Sequence, residues 1–291
     1  MRIAILSRGA TLYSTQRLAE AGRQCGHEVF ILDTMQVAQH IGILSMPGPR
    51  RPLPTALDAM IPRIGASITM FGVAVVRHLQ RRGLLTTADA DGILNSRDKR
   101  RSWRLMADAG LPLPRTALLS EQTGLAAAAR QVGGPPLVIK LLQGTQGQGV
   151  ILARDMATAR NVLRVLNRYG IREVLIQEFV AEAEGRDWRL IVIGDRCVAA
   201  MQRQAPVGEF RANLHRGASA RPLQTSDDLV ALAVQAASVH GLGVAGVDVI
   251  PSDRGPLLLE VNSSPGLQGI EKTTGVDVAD ATIAYLESLA A

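Results

Sequence analysis

Three oxygen-bearing side chains lie on two apolar segments that have the pattern of a β-hairpin. The stretch VAGVDVIPSDRGPLLLEVNSSPG carries Asp248, Glu260 and Asn262, and its central SDRG is typical of a turn. Folding about that turn places Asp248 opposite Glu260, at the roughly 4.5 to 5.5 Å that separates paired strand side chains. Asn262 shares a face with Glu260 because strand side chains alternate with a period of two.

A metal site is the chemistry that this arrangement favours. Two facing carboxylates between apolar neighbours repel each other and lose hydration, unless a cation or a proton lies between them. Oxygen ligands without nearby His or Cys suit Mg²⁺ or Mn²⁺ better than Zn²⁺. The alternative is a pair of edge carboxylates that point to water, which the apolar residues on both sides of Glu260 disfavour.

Lysine is rare in this chain, so the positions that keep it are candidates for chemistry. Of the 32 lysine and arginine residues, only Lys99, Lys140 and Lys272 are lysine. An ammonium group meets a phosphate as a compact point charge, unlike a planar guanidinium. We therefore interpret these lysines as candidate phosphate ligands, with chance retention as the alternative.

A glycine-rich stretch follows Lys140 and suits the approach of backbone amides to phosphate oxygens. The segment PLVIKLLQGTQGQGV predicts a strand that ends near Lys140 and a loop with Gly144, Gly147 and Gly149. Its spacing matches neither a P-loop nor a protein-kinase loop, and a plain hairpin turn is the alternative. A second stretch, GLQGIEKTTG, has a Lys-Thr pair but lacks the glycine that a P-loop requires before it.

The net charge of +6 and the sequence pI near 10.0 fit an acidic ligand, a nucleic acid or simply a charged surface. Aromatic residues make up 3% of the chain and do not alternate with a basic run, so we expect no direct sequence-specific binding of nucleic acid. We find neither a signal-peptide pattern nor an apolar run near the roughly 20 residues that span a bilayer. We therefore expect a soluble, cytoplasmic protein that does not associate with membranes.

The elements predict an α/β domain at residues 1–95. MRIAILS, TLYSTQRLAEAGRQCG and HEVFILD have the pattern of strand, helix and strand, which is a βαβ unit. The first turn, SRGATLY, lacks the GxGxxG spacing of a dinucleotide site, which disfavours a nicotinamide enzyme. A helix is predicted over RDKRRSWRLMADAG, and the alternation of strands and helices continues to the end as an α+β region.

These motifs together resemble a known superfamily. NSRDK, LVIKLLQGTQGQGV, QEFV, GVDVI and LEVNSSPGL occur in the order of the ATP-grasp enzymes, and MRIAILSRGATLYS, IPRIGASIT, FRANLHRG and GLQGIEKTTGVD are similar to the RimK family. The resemblance implies an ATP-grasp fold of mixed α/β and α+β class behind an N-terminal Rossmann-like (pre-ATP-grasp) domain. We expect the N-terminal domain at 1–95, a small ATP-grasp subdomain with a glycine-rich lid at 96–176, and a C-terminal subdomain with the metal site at 177–291.

The resemblance also implies roles for individual residues. Lys99 and Lys140 would contact the ATP phosphates, with Lys140 and Arg203 as the catalytic residues. The metal ligands would be Asp248, Glu260 and Asn262, with Glu260 bridging two ions. The other expected ATP-binding residues are Gly144, Gly147 and Gly149 of the lid, Glu178 and Phe179 at the adenine hinge, Asp187 at the ribose, and Arg211, Ala212 and Asn213. The candidate substrate residues are Arg63, Arg189, His215, Arg216 and Lys272.

A RimK-like enzyme is an ATP-dependent carboxylate–amine ligase. The resemblance implies that it uses Mg²⁺ or Mn²⁺ to add L-glutamate to the C-terminus of a small-subunit ribosomal protein, through an acyl phosphate, and builds a short polyglutamate tail. One alternative is a ligase of the same fold that acts on another acidic peptide or a small-molecule acceptor. Another is a non-catalytic, nucleotide-binding protein of the ribosome, which would not need the metal residues. We expect the enzyme to be a homo-oligomer.

Overall fold

A computed structural model describes residues 1–42, 53–54, 56–142, 149–214 and 217–291 of the 291-residue chain. Its first sheet is parallel, with strand order β2-β1-β3-β4. The strands are β1 (Arg2–Leu6), β2 (Glu28–Leu32), β3 (Ala59–Pro62) and β4 (Leu85–Thr86). Helices α1 (Tyr13–Gln24), α2 (Thr34–His40) and α3 (Thr69–Gln80) connect these strands, and α4 (Ala90–Arg97) follows β4. The predicted βαβ unit is confirmed, since β1 and β2 pair in parallel and α1 joins them.

The predicted helix after Ser96 begins later than its sequence pattern indicated. Asp98 is extended, with φ −97° and ψ 108°, and it separates α4 from α5 (Lys99–Asp108). Its carboxylate accepts hydrogen bonds from the backbone N–H groups of Arg100 and Arg101, which makes it the N-cap of α5. Lys99 is therefore fixed as the first residue of a helix.

The second sheet is antiparallel, with strand order β5-β8-β6-β7. Its strands are β5 (Thr116–Leu119), β6 (Leu137–Leu141), β7 (Val150–Ala153) and β8 (Val174–Glu178). Helices α6 (Leu125–Gln131) and α7 (Met156–Arg168) cover one face and share with the sheet a core that includes Leu137, Ile139 and Ile176. Lys140 is near the end of β6, as predicted from the sequence.

The third sheet is also antiparallel, with strand order β11-β10-β9-β12-β13. Its strands are β9 (Arg186–Ile193), β10 (Arg196–Gln204), β11 (Ser219–Pro222), β12 (Val244–Ile250) and β13 (Leu257–Asn262). Helix α8 (Asp227–His240) packs against it. The predicted hairpin is confirmed in β12 and β13, where Asp248 pairs with Glu260 and a bulge follows Asp248.

The last two helices, α9 (Leu267–Thr274) and α10 (Val278–Ser288), return to the first sheet. Ile3 and Ile5 of β1 share one buried core with Ile270 of α9 and Ile283 of α10. The two ends of the sequence thus form a single packed region. Within the described residues, no helix is long and apolar enough to cross a membrane.

Candidate active site

Two lysines from different elements line one pocket. Lys99 begins α5 and Lys140 lies on β6, and the backbone N–H of Lys99 donates to the carbonyl of Leu142 at 3.3 Å. Burial lowers the pKa of Lys140 to about 8, and the charge of Lys99 acts in the same direction against the opposing effect of Glu260. Burial also lowers the pKa of Lys99. Two neighbouring ammonium groups that lose hydration in this way favour the binding of an anion between them.

Glu178 and Phe179, the predicted adenine hinge, lie at the end of β8 on the wall of this pocket. The carboxylate of Glu178 accepts hydrogen bonds from the backbone N–H and the Nε of Arg115, both at 2.7 Å, and another from Arg254. Burial acts to raise the pKa of Glu178, but these hydrogen bonds outweigh it and hold the pKa below its usual range. The side chain of Glu178 thus fixes the hinge, and the Phe179 ring packs edge-on against Phe210, with centroids 6.2 Å apart.

The segment of residues 209–213 brings three predicted nucleotide residues to the same pocket, Arg211, Ala212 and Asn213. Arg211 donates from Nε and Nη2 to Glu209, at 3.0 and 2.7 Å, and from Nη1 to the carbonyl of Val150 at 3.2 Å. These hydrogen bonds lower the pKa of Glu209 to about 2. Arg211 therefore ties this segment to β7, at the exit of the glycine-rich stretch.

Gly149 is the described residue of the predicted lid, and its backbone needs a glycine. Its φ is +71°, and a Cβ there would approach the side chain of Leu141 to 2.8 Å. Its carbonyl accepts a hydrogen bond from the N–H of Leu141 at 2.8 Å. The other lid glycines, Gly144 and Gly147, lie outside the described residues, as do the substrate candidates His215 and Arg216.

A chain of four charges crosses one face of the third sheet. Arg189 donates from Nε and Nη2 to the carboxylate of Asp248, at 2.7 and 2.6 Å. Arg203 donates to both oxygens of Asp187, at 2.6 and 2.7 Å, and to Asp248 at 2.9 Å. Although Asp248 is buried, the two guanidiniums lower its pKa to about 2, whereas burial raises the pKa of Asp187 to about 6.

This network corrects the reasoning that led from the hairpin to a metal. Facing carboxylates were expected to need a cation or a proton between them, and the cations that lie beside Asp248 are Arg189 and Arg203. Glu260 does not share the burial of Asp248; its side chain is exposed in the pocket. The expectation that apolar neighbours would keep Glu260 from solvent was wrong, because strand alternation turns those neighbours away from it.

The oxygen donors that remain still fit a divalent cation. Glu260 accepts no hydrogen bond from the described residues, and Asn262 Oδ1 accepts one, from the Ser264 N–H at 3.0 Å. Asp248 uses three of the roughly four acceptor positions of a carboxylate. Across the described parts of the chain, no three His, Cys, Asp or Glu side chains group to hold a metal, so a divalent cation here would depend on two carboxylates and the Asn262 amide.

The pocket shares a wall with a larger cleft of about 1170 Å³, formed between the first and third sheets and α5. Lys99, Lys140 and Glu260 lie on both. Three predicted substrate residues also line the cleft, namely Arg63, Arg189 and Lys272. All but one of the predicted site residues that the structure describes therefore line the pocket or the cleft. The exception is Gly149, which lies at the end of the lid beside Val150.

Several lining residues were not predicted from the sequence. Phe210 and Gln177 belong to the pocket, and Glu209 orients Arg211. Arg97 lines the cleft two positions before Lys99, inside the NSRDK motif. Phe210 and Arg97 lie inside the motifs FRANLHRG and NSRDK, so the sequence could have identified them. The pairing of Glu209 with Arg211 could be found only from the structure.

Two family models together match nearly the whole chain. The family model described as RimK-like ATP-grasp domain matches residues 96–286, and that described as RimK PreATP-grasp domain matches residues 1–93. A probable alpha-L-glutamate ligase of Marinomonas sp. (strain MWYL1) is 48% identical over 294 residues, which cover 100% of this chain and 96% of the relative. A probable alpha-L-glutamate ligase 1 of Shewanella amazonensis (strain ATCC BAA-1098 / SB2B) is 45% identical over 295 residues, with the same coverage.

The fold is similar to that of solved ATP-grasp enzymes. The ATP-grasp ligase PsnB, complexed with minimal precursor, Mg and ADP, aligns with a TM-score of 0.72 at 20% identity, over 99% of this chain and 96% of PsnB. The expected ATP-grasp fold with an N-terminal pre-ATP-grasp domain is thereby confirmed.

Proposed function

This chain belongs to the RimK family of ATP-grasp ligases, and from that premise we propose that it joins L-glutamate to the C-terminal carboxylate of a small-subunit ribosomal protein. The chain is an ATP-dependent ligase. The observation that supports the proposal is the convergence of Lys99, Lys140 and Glu260 on the wall between the pocket, which the predicted nucleotide residues line, and a much larger basic cleft. Relatives that are 45 to 48% identical carry the name of glutamate ligase, which supports glutamate as the amino acid.

In the proposed reaction, the acceptor carboxylate attacks the γ-phosphate of ATP and forms an acyl phosphate and ADP. The amine of glutamate then displaces phosphate, which leaves an amide bond. Lys99 and Lys140 hold the phosphates and neutralise charge as the phosphoryl group transfers. A magnesium ion held by Asp248, Glu260 and Asn262 would add to that neutralisation. Repetition on the new C-terminus would give a short polyglutamate tail.

The remaining residues orient the reactants. Phe179 and Phe210 offer an apolar wall for the adenine, and Asp187 keeps unused acceptor positions for the ribose hydroxyls. Arg203 is held on both sides by Asp187 and Asp248, which fixes its guanidinium at the boundary between pocket and cleft. Such rigid placement of charge is what stabilises a charged transition state without reorganisation. The second ion, manganese, the homo-oligomer and the cytoplasmic location stay predictions.

The testing experiment is intact-mass analysis of small-subunit ribosomal proteins incubated with enzyme, ATP, Mg²⁺ and glutamate. We expect mass increments of whole glutamyl units on one protein, mapped to its C-terminus by peptide sequencing. Reactions without ATP, and with aspartate in place of glutamate, are the controls. If no ribosomal protein changes mass but ADP appears with another acid, the ribosomal acceptor is refuted. If no acid or peptide elicits ADP release, the chain binds nucleotide without catalysing ligation.

A further inference from the structure

Two arginines in the cleft, Arg63 and Arg97, form hydrogen bonds to backbone carbonyls rather than ion pairs with acidic side chains of the described residues. Arg63 follows β3 and donates from Nη2 to the carbonyl of Pro265 at 2.8 Å. Arg97 ends α4 and donates from Nη2 to the carbonyl of Ile64 at 2.5 Å. Neither forms an ion pair with any residue that the structure describes, although both line the large cleft.

Their burial makes this arrangement costly in the free protein. Burial lowers the pKa of Arg63 to about 10, and the nearby charge of Arg97 acts in the same direction. Burial also lowers the pKa of Arg97, against the effect of Glu260. The Nε of Arg97 is buried and has no acceptor among the described residues. Each guanidinium has five N–H donors and donates one to a described carbonyl, so N–H groups other than the enclosed Nε of Arg97 are left for a ligand.

The position of the pair indicates which ligand it suits. Lys99 and Lys140 supply point charges on the nucleotide side, whereas Arg63 and Arg97 lie on the cleft side and are oriented by backbone carbonyls. Planar guanidiniums match a carboxylate through two parallel hydrogen bonds. Glu260 lies close enough to Arg97 to influence its charge, so an anion at Arg97 would lie beside the proposed site of phosphoryl transfer.

We propose that Arg63 and Arg97 form a carboxylate-binding subsite of the cleft, which holds a carboxylate of one of the two organic substrates. The proposal rests on the proposed ligase function, and it adds Arg97 to the residues that bind substrate. The carboxylate belongs either to the incoming glutamate or to the acceptor peptide. The two sources present the same chemistry, and the experiment separates them.

The test uses Arg63→Met, Arg97→Met and the conservative Arg97→Lys in the full chain. Arg104→Met is the matched control, because it removes one guanidinium from α5 at an exposed pair with Asp108, away from the cleft. Saturation kinetics give separate KM values for glutamate and for a synthetic peptide that ends in two glutamates. Isothermal titration of a non-hydrolysable ATP analogue reports the nucleotide site.

We expect each methionine variant to raise one of the two KM values by about tenfold or more, as loss of hydrogen bonds to a charged group should do. Affinity for the ATP analogue should stay at the level of the Arg104→Met control. A raised KM for glutamate assigns the carboxylate to the amino acid, and a raised KM for the peptide assigns it to the acceptor. Arg97→Lys should recover part of the loss, because it keeps the charge without the planar fork.

The proposal is overturned if neither KM rises, or if affinity for the ATP analogue falls along with substrate affinity. If Arg97→Met shows no cooperative thermal transition and is therefore unfolded, the KM values of Arg97→Lys and Arg63→Met are compared with the control instead. If the wild-type enzyme does not use glutamate but releases ADP with another acid, the proposed function is refuted and the carboxylate-binding proposal is not. The same variants would then be compared with that acid, so the two failures are distinguishable.

Discussion

Replacing Arg203 with methionine should strongly destabilise the protein. The Arg203 side chain is 2% exposed and those of Asp187 and Asp248 are 13% and 8% exposed, so the substitution leaves buried carboxylates without their donors. Asp248 keeps Arg189, but Asp187 loses both of the hydrogen bonds that Arg203 donates to it. Removing one partner of a buried ion pair costs about 3 to 5 kcal/mol. We expect a loss of that size in the free energy of unfolding.

The assay is urea unfolding followed by tryptophan fluorescence, since Trp188 lies between Asp187 and Arg189 on β9. A second substitution, Asp187→Asn, gives a more discriminating test, because its effect on stability should have opposite signs in the two backgrounds. In the wild type it should destabilise, because it weakens a bidentate ion pair. With Arg203→Met already present it should stabilise, because it removes the charge left uncompensated.

Acidification should restore part of the stability that Arg203→Met loses, as Asp187→Asn should in that background. Burial already raises the pKa of Asp187 to about 6, and loss of the guanidinium raises it further. A group whose pKa is higher in the folded state binds more protons there, so the deficit should shrink as pH falls through that pKa. The reasoning is refuted if Arg203→Met is as stable as Arg104→Met, which breaks an exposed pair, or if Asp187→Asn destabilises in both backgrounds.

Three further predictions concern separate parts of the site and its supports. Glu260→Gln should abolish ADP release at an unchanged melting temperature, since Glu260 is exposed and accepts no hydrogen bond from the described residues; substantial remaining turnover would contradict the metal assignment. His240 accepts a hydrogen bond from Ser102 at 2.8 Å and donates one to the carbonyl of Ala236, and burial lowers its pKa. The urea midpoint should therefore be highest above about pH 6.5, the pKa of an unperturbed histidine. It should fall at lower pH, because protons then bind the unfolded state preferentially. A flat urea midpoint between neutral and mildly acidic pH would refute that role. Gly149→Ala should lower the free energy of unfolding by about 1 to 3 kcal/mol and weaken ATP binding, because alanine disfavours a φ of +71° there; unchanged values for both would show that the turn adapts.

Hydrophobic periodicity and turn chemistry predicted the elements that are local in sequence. The βαβ unit and the register of Asp248 with Glu260 followed from short-range patterns, because strand alternation and a short turn determine both. The boundary at Asp98 was missed, since a capping aspartate inside a helical pattern can be read as a helical residue. The candidate nucleotide residues came from motif resemblance, and the structure brings those it describes to one pocket or its lid.

The sequence pattern could not predict contacts between strands that are distant in the chain. The partners of Asp248 come from β9 and β10, 59 and 45 residues earlier in the chain, and no periodicity links such positions. For that reason a metal ion was expected to compensate the charge of Asp248, whereas two arginines do so. The proximity of Arg63 to Arg97, and the carbonyls that orient them, likewise depend on how the first sheet and α4 approach the end of β13.

The shared core of β1 with α9 and α10 has a consequence for how the protein is made. Ile3 and Ile5 are synthesised about 280 residues before Ile283 and Leu286, with which they share one core. The apolar face of the first sheet that carries Ile3 and Ile5 is therefore covered by α1 but incompletely buried until α9 and α10 have been made, and partly exposed apolar strands of that kind are prone to aggregate. Nascent chains stalled before α10 should need a chaperone to remain unaggregated, and a deletion of α10 should destabilise the first sheet.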